Sequence, residues 1–283
     1  MYILSIKGFG DALIALWAIS QFSDKTKFHL VTASYLFPLI NHLKREDGVL
    51  VLSSILSYPE IFNLKNSTLS QCVGSFYLLR NEIIKNCTNK DESILFDNYG
   101  LREFLIKPIF SKSKSVSALK ADNIYSGYLS VLTESGETCI FDNNAEIVSD
   151  SLKDVAIFFS SRVFEKCINL KHLLDIERCC IELGLNPIFI KHVNDGIDEI
   201  IERALKVHNY KSYDELDCFI FGARFIISSD SFPAHYAEYH RKKVFVVNNY
   251  VNNYYLPYSA FINKWSSLGV DVTRLNKFLS ANQ

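Results

Sequence analysis

Ile227-Ser228-Ser229-Asp230-Ser231-Phe232-Pro233-Ala234-His235 is the passage from which the architecture can be read outward. An apolar, β-rich run from Arg224 to Ile227 gives way to small polar residues and an aspartate, and a proline then stands where a helix would start. Proline has its φ fixed near helical values and lacks an N–H that the first turn would leave unpaired anyway. A helix over Pro233 to His240 and a strand over Val244 to Val247 complete a strand-turn-helix-strand unit, the building block of a parallel sheet.

Upstream, Ser212-Tyr213-Asp214-Glu215 has the Ser-x-x-Glu spacing of a capping box and opens a helix ending near Gly222. Further back lie a strand at Val155 to Phe159, a helix at Leu170 to Leu183 closed by Gly184, a strand at Pro187 to Ile190 and a helix at Ile197 to Leu205. The first half repeats the alternation. Strands are expected at Tyr2 to Ile6, Phe28 to Val31, Val49 to Leu52, Ser93 to Phe96 and Cys139 to Phe141, with helices at Ala12 to Gln21, Tyr35 to Leu43 and Ser70 to Lys85. The polar segment Asp142 to Asp154 separates the two series, giving an α/β chain of two domains, 1–145 and 146–283.

Composition narrows the function classes. The 283 residues are 48% hydrophobic, enough for two cores, and 30 basic against 31 acidic side chains leave no field for nucleic acid. Seven scattered cysteines without a C-x-x-C pair argue against a disulfide framework or a zinc site and for a reducing cytoplasm. No signal peptide is read at the N-terminus, and the apolar run Ala12 to Ile19 is far short of the roughly 18 residues a bilayer needs.

Three stretches could carry chemistry. At Ser228 to His235, the start of a helix after a parallel strand offers unpaired N–H groups and the positive end of a dipole to a phosphate. Asp230 is expected to accept backbone N–H bonds and shape the turn, leaving the amides near Ser231 and Phe232, the Ser231 hydroxyl and the His235 ring toward a ligand. The competing reading is plain helix capping. At Lys7-Gly8-Phe9-Gly10-Asp11, the glycines Gly8 and Gly10 would allow left-handed dihedrals and close approach, and Asp11 could take a proton from a hydroxyl or simply cap the helix. Leu13 replaces the third glycine of a dinucleotide fingerprint, so NAD is not indicated. In Phe158 to Lys166, the hydroxyls of Ser160 and Ser161 with the cations Arg162 and Lys166 could bind a diphosphate leaving group. Arg102, Lys107, Lys112 and Lys114 fit a solvated face first and an anionic glycolipid or membrane surface second.

Together these stretches resemble glycosyltransferase family 9, the lipopolysaccharide heptosyltransferase-like enzymes. Gly10 and Asp11 match the family's Ile-Gly-Asp start, His29 to Ile40 its second strand and helix, and Leu95 to Arg102 its Asp-x-x-Gly-Leu segment. Asp230, Ser231, Pro233 and His235 fall in register with Asp-Ser/Thr-Gly-Pro-x-His, with Phe232 in place of the glycine. Phe232 therefore implies either another dihedral set or a ring that covers the donor.

The resemblance implies two Rossmann-like domains facing a cleft, as in GT-B glycosyltransferases, with the acceptor on the first and a nucleotide-sugar donor on the second. Asp11 would be the general base, and Ser160, Ser161, Lys166, Asp230, Ser231, Phe232 and His235 would hold the donor. The last helix, Val272 to Ala281, would pack back on the first domain. The implied activity is inverting, free of metal and of any cofactor beyond the donor as co-substrate. It would extend a lipopolysaccharide or surface polysaccharide intermediate, in the cytoplasm or at the inner face of the membrane. A nucleotide-sugar epimerase of the same fold, or an inactive nucleotide- or glycan-binding subunit, stands as the alternative.

Overall fold

Two parallel sheets organise the computed structural model, one in each of the compact units Met1–Asp142 and Asn143–Gln283. It describes residues 1–6, 8–44, 49–52, 69–87, 92–98, 104, 106–134, 153–196, 199–250 and 253–280. The expected strand at Cys139 to Phe141, the segment 99–102 with Arg102, and most of the expected linker lie outside these residues.

The first unit runs β1 (Tyr2–Leu4), α1 (Phe9–Ser20), β2 (His29–Ala33), α2 (Phe37–His42), β3 (Val49–Leu52), α3 (Leu69–Asn86), β4 (Ser93–Phe96), β5 (Lys112–Ser115) and α4 (Ile124–Thr133). Its sheet order is β3-β2-β1-β4-β5. In α1 every residue from Ala12 to Ile19 is buried, which accounts for the apolar run: the helix is covered on all sides. Trp17 packs edge-on against Tyr125 of α4 with ring centroids 4.9 Å apart. On one face of the sheet, Tyr2, Leu4, Val31, Ala33, Ile94 and Phe96 meet Leu79 and Ile83 of α3.

The second unit runs β6 (Lys153–Phe158), α5 (Leu170–Glu182), β7 (Pro187–His192), α6 (Glu199–Ala204), β8 (Val207–Tyr210), α7 (Tyr213–Phe221), β9 (Ala223–Ser229), α8 (Phe232–Tyr239), β10 (Val244–Asn248), α9 (Tyr258–Asn263), β11 (Ser266–Leu268) and α10 (Val272–Ser280). Strand order is β11-β10-β9-β6-β7-β8, all parallel. Counted from β6, that is the 3-2-1-4-5-6 order of a Rossmann sheet. β6 begins at Lys153, so the polar segment taken as linker ends two residues sooner than expected.

Local sequence explains the element ends. Gly184 at φ +70 takes the left-handed position after α5, and Leu185 N–H donates to the Cys180 carbonyl while Gly184 N–H donates to Ile181, a Schellman closure. Ser212 Oγ accepts from Glu215 N–H at the start of α7, but the Glu215 carboxylate reaches past the cap to the Lys211 N–H, at 2.7 Å. Leu275, Phe278 and Leu279 of α10, the helix expected to brace the first domain, lie in the core of its own unit, with the Phe278 ring 5.7 Å from Phe225 and 5.6 Å from Phe245. Among the described residues no helix is long and apolar enough to cross a membrane.

Candidate functional site

Parallel strands put all their carboxyl ends on one edge, and in the second sheet the chain order reverses between β6 and β9. Loops leaving such a pair diverge to opposite faces and open a crevice, the position where open α/β sheets bind ligands. Ser160, Ser161 and Lys166 follow β6, while Asp230, Ser231, Phe232 and His235 follow β9. The topology therefore brings both stretches singled out in this half of the sequence to one crevice.

The loop after β6 is braced internally. Ile168 N–H donates to the Phe159 carbonyl at 2.9 Å and closes it at the base. Across its middle, Ser161 N–H donates to Cys167 Sγ at 3.2 Å and the Cys167 thiol donates back to the Ser161 carbonyl, burial holding that thiol protonated by raising its pKa. Ser161 Oγ accepts from Val163 N–H, and a single 3-10 turn, Phe164–Lys166, delivers the lysine. Ser160 donates its hydroxyl to Asp195 Oδ2 at 2.7 Å and its carbonyl accepts from Ser229 Oγ at 3.2 Å, so the loops after β6, β7 and β9 are tied together.

Lys166 Nζ donates to Asp230 Oδ2 at 2.8 Å, the ammonium partly exposed at 29% and the carboxylate buried at 6%. Burial alone would lower the lysine pKa, but the hydrogen bond and charge of Asp230, with a further contribution from Tyr250, raise it. The lysine is thus a charged group with three donors at the mouth of the crevice.

Asp230 departs from the expectation set for it. Its carboxylate accepts from Lys166 and from the Tyr250 hydroxyl at 3.1 Å, side-chain partners in place of the turn amides. A cation beside the carboxylate is physically sounder at a phosphate site, because it removes the anion-anion repulsion that a bare aspartate would impose.

Plain capping does not describe the turn either. Ser231 is the N-cap of α8, yet it makes no side-chain cap; its hydroxyl pairs with Ser229 Oγ at 2.9 Å. His235 is buried, and burial foremost, with a smaller push from Lys166 against a pull from Asp230, brings its pKa down to about 4. It stands beside the Lys166–Asp230 pair as a neutral imidazole at pH 7.

Phe232 is the first residue of α8 and has no positive φ. Its ring packs at 6.2 Å from Tyr213 of α7 and 5.5 Å from Tyr236 of α8, forming an aromatic cluster beside the turn. No unusual backbone is required of it.

In the first unit, Gly8, Gly10 and Asp11 follow β1 at the carboxyl edge, where the order again reverses, between β1 and β4. Gly8 is the N-cap with extended backbone, φ −154, and Asp11 is the third residue of α1, so Asp11 is not the cap. Neither glycine has positive φ, against the left-handed expectation. What glycine provides at position 8 is room: a Cβ there would lie 3.1 Å from Asp11 Oδ2. A cavity of about 450 Å³ lined by Met1, His29, Glu92, Ser93 and Lys112 lies at the amino ends of the strands, the edge opposite Asp11.

Three residues in the second crevice were missed from sequence: Asp195, Asn249 and Tyr250. All follow parallel strands, β7 and β10, so the rule that picked out the loops after β6 and β9 would have found them had it been applied to every strand end.

No protein-family profile matches the chain, and no curated protein matches its sequence. Solved structures do match. The E. coli heptosyltransferase WaaC, solved with ADP-2-deoxy-2-fluoro heptose, superposes over 100% of both chains with a TM-score of 0.61 at 12% identity. The chain has the heptosyltransferase fold. A glycosyl transferase family 9 protein from Veillonella parvula DSM 2008 covers 92% of this chain and 83% of its own, with a TM-score of 0.60 at 14% identity. E. coli ADP-heptose lps heptosyltransferase II covers 99% and 98%, with a TM-score of 0.55 at 11% identity. The two-Rossmann glycosyltransferase fold implied by the resemblance in Gly10-Asp11 and in Asp230 to His235 is borne out, and the two βα series with a polar break between them had already indicated an α/β chain of two domains.

Proposed function

We propose that this chain is a glycosyltransferase that binds a nucleotide-sugar donor in the crevice between β6 and β9 and transfers the sugar to a hydroxyl of a bacterial lipopolysaccharide or surface polysaccharide intermediate. The observation that carries this reading is the charged Lys166 held by Asp230 beside the start of α8, at the reversal point of a Rossmann-ordered sheet. A lysine with spare donors and a helix N-terminus, at the strand edge where such sheets take nucleotides, suit a diphosphate. The heptosyltransferase fold, and the ADP-sugar with which WaaC was solved, favour a nucleotide-sugar over a free nucleotide.

In the proposed reaction Asp11 takes the proton from the acceptor hydroxyl as its oxygen attacks the anomeric carbon. The bond from that carbon to the donor diphosphate breaks, and the electron pair leaves with the diphosphate. Lys166, the Ser231 hydroxyl and the first amides of α8 meet the charge that develops on the leaving group. A single displacement of this kind inverts the anomeric configuration and asks for no metal ion.

Thermal-shift measurements against ADP-, GDP-, UDP- and CMP-sugars test the donor site. At least one should raise the melting temperature by mass action, and Lys166→Met should abolish that rise. Stabilisation by none of them would sink the reading. Asp11→Asn should reduce transfer by about a hundredfold or more while donor affinity stays within about twofold. Change of the sugar without an acceptor would show an epimerase instead, and binding with no nucleotide released under any acceptor would show an inactive binding subunit.

A further inference from the structure

β10 ends at Asn248, and the side chains of the next two residues, Asn249 and Tyr250, turn back toward the loop that carries Lys166. Asn249 Nδ2 donates to two backbone carbonyls, Glu165 at 2.7 Å and Cys167 at 2.9 Å, the residues on either side of the lysine. Tyr250 donates its hydroxyl to the same Asp230 Oδ2 that accepts from Lys166 Nζ, at 3.1 Å, and its ring lies 5.9 Å from the ammonium. One residue thus fixes the backbone that bears Lys166, and the next holds the far end of its side chain.

We infer that Asn249 and Tyr250 are positioning residues that clamp Lys166 in the crevice between β6 and β9. The inference rests on the reading of that crevice as a donor site.

Physical chemistry says why a clamp is needed. Lysine is a point charge on a four-carbon stem, and ordering it costs more side-chain entropy than ordering most residues. Lys166 also sits on a single 3-10 turn, a weak platform by itself. Two amide-to-carbonyl bonds fix the turn, and a shared carboxylate fixes the ammonium, so the ordering is complete before any ligand arrives. The three parallel strand ends concerned, of β6, β9 and β10, are neighbours in the sheet, so the clamp spans rigid elements.

Two measurements on the full chain separate the clamp from the donor reading. The first needs no nucleotide. Trace acetylation with acetic anhydride, followed by mass spectrometry with the exposed Lys211 as internal reference, reports the free-amine fraction and access of Lys166. Tyr250→Phe and Asn249→Ala should each raise the Lys166 rate about threefold or more relative to Lys211, because an ammonium held less tightly is both more accessible and more readily deprotonated. An unchanged rate in both variants overturns the clamp. The second uses ADP, GDP, UDP and CDP with calorimetry. Tyr250→Phe should weaken the diphosphate that binds by about three- to tenfold and leave the matching nucleoside unaffected. In a Lys166→Ala background the same substitution should have no further effect. An equal loss in that background would show that Tyr250 meets the ligand by itself, and would overturn its role through Lys166. If wild type binds none of the four while acetylation responds as expected, the clamp stands and the donor reading falls.

Discussion

His235 shows how one buried side chain converts position into a measurable. Its pKa is brought from an ordinary 6.5 to about 4, chiefly because burial disfavours the imidazolium. In the unfolded chain the ring takes up a proton near pH 6.5, whereas in the folded chain it resists until about 4. Stability held above pH 6.5 is therefore lost as the pH falls toward 4, by an amount on the order of 3 kcal/mol. Urea denaturation of wild type and His235→Asn across that window should give a difference that shrinks as the pH drops. A difference independent of pH would mean that the ring is protonated in the folded state. The residue was legible in the sequence from its offset to Asp230, but its neutrality was not, because neutrality comes from the burial of α8 against β9 and β10.

At the scale of elements, Glu238 joins α8 to α9. Its carboxylate accepts from the Ser259 N–H at 3.1 Å and from the Ser259 hydroxyl, which caps α9 from a neighbouring helix. Burial raises the carboxyl pKa from 4.5 to about 7, the Ser259 bonds opposing it. Here the sign is opposite to that of His235. The unfolded chain ionises first, so stability present below pH 4.5 is lost as the pH rises through 7. Glu238→Gln keeps an acceptor for Ser259 and loses the charge. It should be more stable than wild type at pH 8 by on the order of 1 to 3 kcal/mol, with the gap closing toward pH 5 in urea denaturation. Because the two groups slope in opposite directions between pH 4.5 and 6.5, wild type should look nearly flat there while each single variant does not.

The elements also show what sequence reading can reach. Central strands such as β1, β4, β6, β9 and β10 are buried on both faces and appear as short apolar runs, so each was found to within about two residues. The strands that were missed, β5 (Lys-Ser-Lys-Ser), β8 (Val-His-Asn-Tyr) and β11 (Ser-Ser-Leu), are edge strands or border no further strand on one side. Edges carry lysine and small polar residues because an apolar edge would recruit other chains, and that same composition removes the apolar signal. β5 illustrates the cost: Lys112 and Lys114 were read only as part of a solvated basic face, which the exposure of Lys112 fits, and the strand they belong to went unread. Among the helices, the short α9 went unread, and α4 escaped because its buried residues, Tyr125, Tyr128 and Gly127 among them, do not look like a helix-forming stripe.

For the whole molecule, the decisive property is that each unit closes its own core. The apolar cluster of the second unit draws its residues from Val155 to Leu279, and α10 completes it with Leu275, Phe278 and Leu279. All the groups proposed to hold the donor, from Ser160 to His235, and the two residues proposed to position Lys166 leave the carboxyl edge of that one sheet. Asp11, the proposed base, belongs to the other unit. Donor binding and proton transfer should then be separable by cutting the chain. A fragment of residues 143–283 should unfold cooperatively in urea and bind the preferred nucleoside diphosphate within about threefold of the full chain, while showing no transfer. Asp11→Asn in the full chain should reproduce that phenotype, binding without transfer. A fragment that folds yet loses affinity by about thirtyfold or more would place donor contacts on the first unit. In that case the division of labour between the two sheets would fail, even with the Lys166–Asp230 crevice intact.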